Sequence, residues 1–328
     1  MKICSYLEIR GLVDQSGIGS ATRNAVQALG ARRIEVTTDP TGDYDLLHLQ
    51  WVGPRSLYYA QRARKRNRPV VLSVYSLPEH IRGAFHCSLF VTPTYRQYLR
   101  AFFRFVDLLV VPSSMAAECL APLAGARPIR VVSSGVDLDR FRYSQEKREN
   151  FRRAYGLNRP TVLAVGQLIP LKGVETFLEV AREIPEVCFL WVGPRPSRLL
   201  FFSPRFERLI RQRLPNVHFA GYLADVESAY CGCDLFFHPS HGESLGMAIL
   251  EAAAVGLPLL VRRLAVYEGW LHEGVNCLMG KDPAEFEAAI GTLLSGSPGC
   301  LARKQLACQH VLPRVGEALA AVYREVLG

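Results

Sequence analysis

Short apolar runs alternate with longer amphipathic stretches along the whole chain. Lys2 to Leu7, Ile34-Glu-Val-Thr-Thr, Asp45-Leu-Leu-His48-Leu, Val70 to Tyr75, Leu108 to Val111 and Ile129 to Val132 read as strands. Val70-Val-Leu-Ser-Val-Tyr75 is almost unbroken, as a parallel strand buried on both faces prefers. Helical stretches fall between them, over Ala21 to Leu29, Leu57 to Arg68, and Pro93 to Phe105 with Thr92 as cap and Pro93 in the first turn. A charged stretch, 144 to 153, reads as a linker. The alternation then restarts at Pro160-Thr-Val-Leu-Ala-Val-Gly166, with a helix to Ile184, the strand Val187 to Val192, then Val217 to Ala220 and Asp234-Leu-Phe-Phe-His238. Strands alternating with helices predict an α/β fold of two Rossmann-like, doubly wound domains. The predicted boundaries are 1–145, 155–310 and a C-terminal helix, 311–328, packing back towards the first domain. Such sheets bind ligands beyond the carboxyl ends of their strands.

One stretch concentrates the chemistry. His238-Pro-Ser-His-Gly-Glu243-Ser-Leu-Gly246 leads from a strand into an apolar helix that ends at Gly256, with Pro258 forbidding continuation. Ser244 is the expected helix cap. The amides of Ser244, Leu245 and Gly246 would then face an anion at the helix N-terminus, and Gly246 would let a ligand come close. Glu251 follows Glu243 by eight positions; an all-helical path would set it roughly 10–12 Å further along the axis and about 80° around. A solvated glutamate is the plainer reading of either residue alone. Glu251, however, sits between Ile249-Leu250 and three alanines, where an ionised carboxylate needs a partner.

Composition narrows the class. The chain has 328 residues, 49% of them hydrophobic, enough for two cores. Its nine cysteines form no paired framework, which favours reduced thiols. The opening residues form no signal peptide, and no window approaches the roughly 20 apolar residues of a membrane span. The net charge is +9, and residues 1–150 carry 21 Lys/Arg against 13 Asp/Glu. This asymmetry points to a membrane surface or nucleic acid; no nucleic-acid module is present. Arg62, Arg64, Lys65 and Arg66 close one helix, and Tyr95, Tyr98, Phe102, Phe103 and Phe105 interleave with Arg96, Arg100 and Arg104 on the next. Such helices suit an interface with an anionic leaflet; the plainer reading is a core helix with snorkelling arginines.

The Glu-x7-Glu spacing, with His-Pro-Ser before it and Gly-Leu-Pro after it, resembles the donor-site signature of family 4 retaining glycosyltransferases, which have the GT-B architecture of two domains facing a cleft. Ser134-Gly-Val-Asp137 with Phe141 resembles another element of that family, with Ser where Asn is usual. The resemblance implies transfer of a hexose, glucose or galactose, from a nucleotide sugar, a UDP-sugar being favoured. It implies no metal and no cofactor besides that donor. Lys172 would stabilise the departing diphosphate, Glu243 would hold sugar hydroxyls and Glu251 the ribose. Gly17, Gly19, Gly166, Gly193 and Leu223 would line the donor site. Three further positions depart from the family: Gln167 and Leu171 stand where one or the other is often arginine, and Tyr75 ends the strand after which a histidine is usual, leaving His80 as the candidate catalytic substitute. Tyr75 and Arg82 would face the acceptor.

The N-terminal sequence, with Tyr6-Leu-Glu, Ser16-Gly-Ile-Gly19 and Asp43-Tyr-Asp45-Leu-Leu-His48, resembles the bacterial subgroup that extends glucosyl-diacylglycerol lipids. That implies a glycolipid acceptor such as monoglucosyl-diacylglycerol and a peripheral position on the cytoplasmic face of the membrane. The rival readings are a soluble or polysaccharide acceptor and a sugar-nucleotide-binding pseudoenzyme. A dinucleotide-binding oxidoreductase would need Gly-x-Gly-x-x-Gly opening a helix with an acidic residue about 20 positions on, and the chain has none.

Overall fold

The computed structural model describes residues 1–9, 11, 15–78, 88–195, 204–212, 214–296 and 300–328. Two units emerge. The first runs to Gly135 and also contains His310–Gly328; the second is Val136–Gln309.

In the first unit β1 (Lys2–Tyr6), β2 (Glu35–Thr37), β3 (Leu46–Leu49), β4 (Val70–Ser73), β5 (Leu108–Val111) and β6 (Ile129–Val131) form one sheet in the order β2-β1-β3-β4-β5-β6. Every pairing is parallel. Side chains alternate across it. Leu47, Leu49, Val70, Leu72, Leu109 and Val111 meet Ala60 and Ala63 of α2 (Pro54–Lys65), Leu99 and Phe102 of α3 (Ser88–Phe103), and Leu120 of α4 (Ser114–Ala124). On the other face Ile3, Leu46, Val71 and Leu108 meet Ala25 and Leu29 of α1 (Gly17–Ala31) and Val315, Leu319 and Tyr323 of the last helix, Leu312–Leu327. That helix crosses α1 so closely that a Cβ on Gly316 would stand 2.5 Å from the carbonyl oxygen of Ala28.

The second unit repeats the plan with β7 (Thr161–Val165), β8 (Cys188–Val192), β9 (Val217–Gly221), β10 (Leu235–His238), β11 (Leu259–Arg262) and β12 (Leu278–Gly280), all parallel, in the order β12-β11-β10-β7-β8-β9. The chain leaves β7 to build one half of the sheet and returns beside it at β10 to build the other. The switch point therefore lies between the carboxyl ends of β7 and β10, where a crevice opens in such folds. Phe177 and Ala181 of α6 (Val174–Glu183), Phe206 of α7 (Pro204–Ile210), and Phe286 and Ile290 of Pro283–Ser295 cover one face, around Phe189, Trp191 and Phe237.

Three local expectations are corrected. The charged stretch read as a linker is a helix, α5 (Gln145–Tyr155), capped by Ser144 and packed on α8 (Val226–Gly232). Two of its arginines turn inwards: Arg148 and Arg152 donate to Asp234 at 2.5 and 3.1 Å, and to the carbonyls of Cys231, Gly232 and Cys233. α3 starts at Ser88 and carries Pro93 inside it. Its Leu99, Phe102 and Phe103 are buried, while its Arg96 and Arg100, and Arg104 just beyond its end, are exposed, so core packing and not lipid claims those aromatics. α2 spans Pro54–Lys65 in place of 57–68, because Asn67 takes a positive φ of 53°.

Candidate active site

The loops after β7 and β10 are tied together at the switch point of the second unit. His241 N donates to Leu171 O at 2.8 Å, and the Ser240 hydroxyl donates to the same carbonyl. Gly173, at φ +76°, is forced by this contact: a Cβ there would lie 2.2 Å from the carbonyl oxygen of Pro239. Arg262 braces the junction from β11, donating to Pro239 O and the Thr176 hydroxyl, both at 2.9 Å. The Trp191 indole donates to Gly166 O at 2.8 Å, and Gly193, beside it, tolerates no Cβ because one would meet that same oxygen.

Lys172 and Glu243 converge on this floor. Lys172 Nζ donates to Glu243 Oε1 at 2.5 Å, and His238 Nε2 donates to the same oxygen at 2.7 Å. The Glu243 side chain is 8% exposed and that of Lys172 is 23% exposed. Burial alone would raise the Glu243 pKa, but the attraction of Lys172 and then the His238 hydrogen bond outweigh it and hold the carboxyl well below the usual range. The result is an ionised carboxylate under a lysine that stays partly open to solvent. A second carboxylate lies on α9 (Met247–Val255), where Glu251 Oε2 accepts from the Tyr230 hydroxyl at 2.7 Å. Burial, then the charge of Glu251, push that phenol well above its ordinary pKa. Arg140 completes the neighbourhood: it donates to Glu227 at 3.1 Å and lies within the field of Glu251.

The cap expected at Ser244 is corrected. α9 begins at Met247, and its cap is Gly246 with φ +95° and no side-chain bond. Ser244, Leu245 and Gly246 therefore form the loop before the helix and not its first turn, and the all-helical projection from Glu243 to Glu251 does not apply. Leu223 is half-buried beyond β9, next to an exposed Tyr222.

In the first unit Gly17 and Gly19 occupy the first turn of α1. Glu8 fills the N-terminus of α2, accepting from Arg55 N and Ser56 N at 3.1 and 2.9 Å. The Tyr75 hydroxyl donates to Gln50 Oε1 at 3.1 Å, and burial pushes its pKa up to about 12. Beneath it His48 is wholly buried, bonded to Tyr323 at 2.7 Å and Ser73 at 2.8 Å, and burial lowers its pKa to about 3. Of the basic residues on α2, Arg64 pairs with Asp107 at 2.7 Å, while Arg64, Lys65 and Arg66 are exposed and Arg62 is half-buried. His80 and Arg82 lie outside the described residues.

Residues 159–296 match the family described as Glycosyl transferases group 1, and residues 20–140 match Glycosyltransferase Family 4. The chain belongs to the family 4 glycosyltransferases. Among relatives, the glycosyltransferase is 29% identical to the processive diacylglycerol alpha-glucosyltransferase of Acholeplasma laidlawii, over 100% of this chain and 99% of that protein. It is 25% identical to the alpha-galactosylglucosyldiacylglycerol synthase of Streptococcus pneumoniae, over 84% of this chain and 75% of that one. Among solved structures it superposes on Anabaena HepE in complex with UDP-glucose with a TM-score of 0.79 at 18% identity, covering 99% and 100% of the two chains. WaaG, a glycosyltransferase involved in lipopolysaccharide biosynthesis, gives 0.66 at 18% identity over 98% of both chains. These likenesses place the glycosyltransferase in the GT-B fold.

The sequence shows His238 at the head of the motif without giving it a role, and gives none to Tyr230, Arg140, Arg262 or Glu8. His238 ends a strand one step before the recognised loop, and that position was the available signal. The other four become visible only once the strands are ordered.

Proposed function

We propose that this glycosyltransferase moves a hexose, glucose or galactose, from a UDP-sugar to a membrane glycolipid such as monoglucosyl-diacylglycerol, with retention at the anomeric carbon. The observation that carries the reading is the Lys172–Glu243 ion pair at the β7/β10 switch point. It supplies a cation for a diphosphate and a buried carboxylate for sugar hydroxyls. The acceptor class follows from likeness to two glycosyl-diacylglycerol enzymes, one along the full chain. The UDP-sugar follows from likeness to a protein that binds UDP-glucose.

In this reading Lys172 turns from Glu243 to the diphosphate. The anomeric carbon–oxygen bond breaks with its electron pair leaving on the phosphate oxygen, and Lys172, with the loop amides of residues 244–246, stabilises that charge. The acceptor hydroxyl forms the new glycosidic bond. Its proton passes to the departing diphosphate or to His80, the remaining candidate base, because a Tyr75 phenol with its pKa pushed up to about 12 is no base at neutral pH. Gly166, Gly193 and Leu223 line the donor pocket, and Glu251 holds the ribose.

Membrane association belongs to the same proposal. No helix among the described residues is long and apolar enough to cross a membrane. The exposed Arg64, Lys65, Arg66, Arg96, Arg100 and Arg104 offer a basic face to an anionic leaflet on the cytoplasmic side. The test is a panel of radiolabelled sugar nucleotides with a total lipid extract. Label in a chloroform-soluble glycolipid supports the proposal. Label appearing only in water-soluble products would refute the glycolipid acceptor, and binding without turnover would refute the enzyme.

A further inference from the structure

Tyr267 stands at the end of a short 3₁₀ turn, Ala265–Tyr267, that follows β11. It is wholly buried and packs edge-on against Trp270 with ring centroids 5.6 Å apart. Its hydroxyl is buried too, and no hydrogen-bond partner reaches it among the described residues. For packing alone phenylalanine would serve better, since a buried donor with no acceptor carries its full desolvation penalty. The ring lies against the donor loop: a Cβ built on Gly246 would stand 3.5 Å from Tyr267 Cε1. Burial and then the charge of Glu243 push the phenol well above its ordinary pKa, as befits a hydroxyl that lies in the field of that carboxylate without being bonded to it. On Glu243 itself, Lys172 and His238 both donate to Oε1. When Lys172 leaves for a diphosphate, a buried carboxylate loses its cation, and the sugar hydroxyls and any buried donor beside it must make up the loss.

We propose that Tyr267 is a positioning residue whose hydroxyl donates to the Glu243 carboxylate in the donor-bound protein, replacing the hydrogen bond that Lys172 gives up. The inference rests on the roles of Lys172 and Glu243 proposed above. The hydroxyl is thus a liability in the empty site and an asset in the filled one, and this sets it apart from a structural tyrosine.

The experiment is Tyr267→Phe in the full chain, read by thermal unfolding with and without UDP-glucose, by donor affinity and by turnover. The expected result is an unliganded melting temperature equal to or above wild type, with donor affinity about tenfold weaker, the loss expected for a hydrogen bond to a charged group. The same substitution in a Glu243→Gln background should change donor affinity much less. A Tyr267→Phe protein that melts lower without donor, or that binds and turns over donor as wild type does, overturns the inference and leaves the proposed function standing. A wild-type protein that binds no nucleotide sugar overturns both.

Discussion

Replacing Lys172 by methionine separates the two roles of its ammonium. The stem is kept, with Cγ and Cδ 3.6 Å from where a Cβ on Gly166 would lie. Among the described residues Glu243, 8% exposed, keeps the His238 hydrogen bond but no cation bonded to it. Removing one partner of a buried ion pair typically costs about 3–5 kcal/mol. The partial exposure of Lys172, 23%, puts this case at the lower end. The carboxyl also has an escape, which is to take a proton. Near pH 7 that costs about 3.7 kcal/mol for a glutamate of ordinary pKa, and near pH 5 only about 1 kcal/mol. The wild-type pair behaves differently. The depressed pKa of Glu243 means that its contribution is fully present above the ordinary glutamate range, and it is lost only as pH falls through the depressed value. The variant should therefore lose about 3 kcal/mol near pH 7 and about 1 kcal/mol near pH 5, by urea unfolding against wild type at each pH. Turnover should fall more than donor affinity, since the ammonium interacts most strongly with the departing phosphate. Wild-type stability in the variant, or a deficit of the same size at both pH values, would refute the reasoning.

Glu251→Ala should weaken nucleotide-sugar binding by about 1.5–3 kcal/mol, as loss of a charge-assisted hydrogen bond does, and unchanged affinity by calorimetry in a folded variant removes the ribose role. His48 is held neutral in the fold while the unfolded chain takes up its proton below the ordinary histidine pKa; stability should thus fall between about pH 6.5 and 3, by at most ~1.4 kcal/mol per pH unit from this residue. His241 and His310, also lowered by burial, act in the same sense, and a His48→Gln variant should show a shallower acid slope in pH-dependent denaturation. Replacing Arg62, Arg64, Lys65 and Arg66 by serine should reduce binding to anionic vesicles and lipid-dependent activity while nucleotide binding persists, each charge near the surface being worth roughly 1 kcal/mol; wild-type protein that ignores such vesicles at low salt contradicts the membrane proposal. Activity should survive EDTA, and loss restored by magnesium or manganese would contradict the metal-free mechanism.

The parts of the fold that were legible in sequence are those where burial acts on both faces of a strand. Val70–Ser73, Leu108–Val111 and Leu235–His238 are apolar runs because helices cover each side of their sheets. The illegible parts depend on partners far away in the chain. A stretch as charged as 145–155 reads as solvated until Asp234 is seen to accept both Arg148 and Arg152. The start of α9 was misplaced because a serine after a loop is a good cap by local rules, whereas the left-handed Gly246 delays the helix to Met247. At the site, Glu243 and Lys172 were readable from the motif around them. Their direct pairing and the histidine beneath were not, because 71 positions separate the two.

The return of His310–Gly328 to the first unit has a consequence for synthesis. A ribosome making this chain releases β1 to β6 first, yet the helix that covers Ile3, Leu46, Val71 and Leu108 is made only after the whole of Val136–Gln309. Domains made first usually fold first; here the first-made sheet waits with one face half-clothed while the later unit already holds all its parts. A nascent chain stalled before residue 310 should present that apolar face to chaperones. A rearranged gene that places 310–328 ahead of residue 1 through a suitable linker should restore the ordinary order.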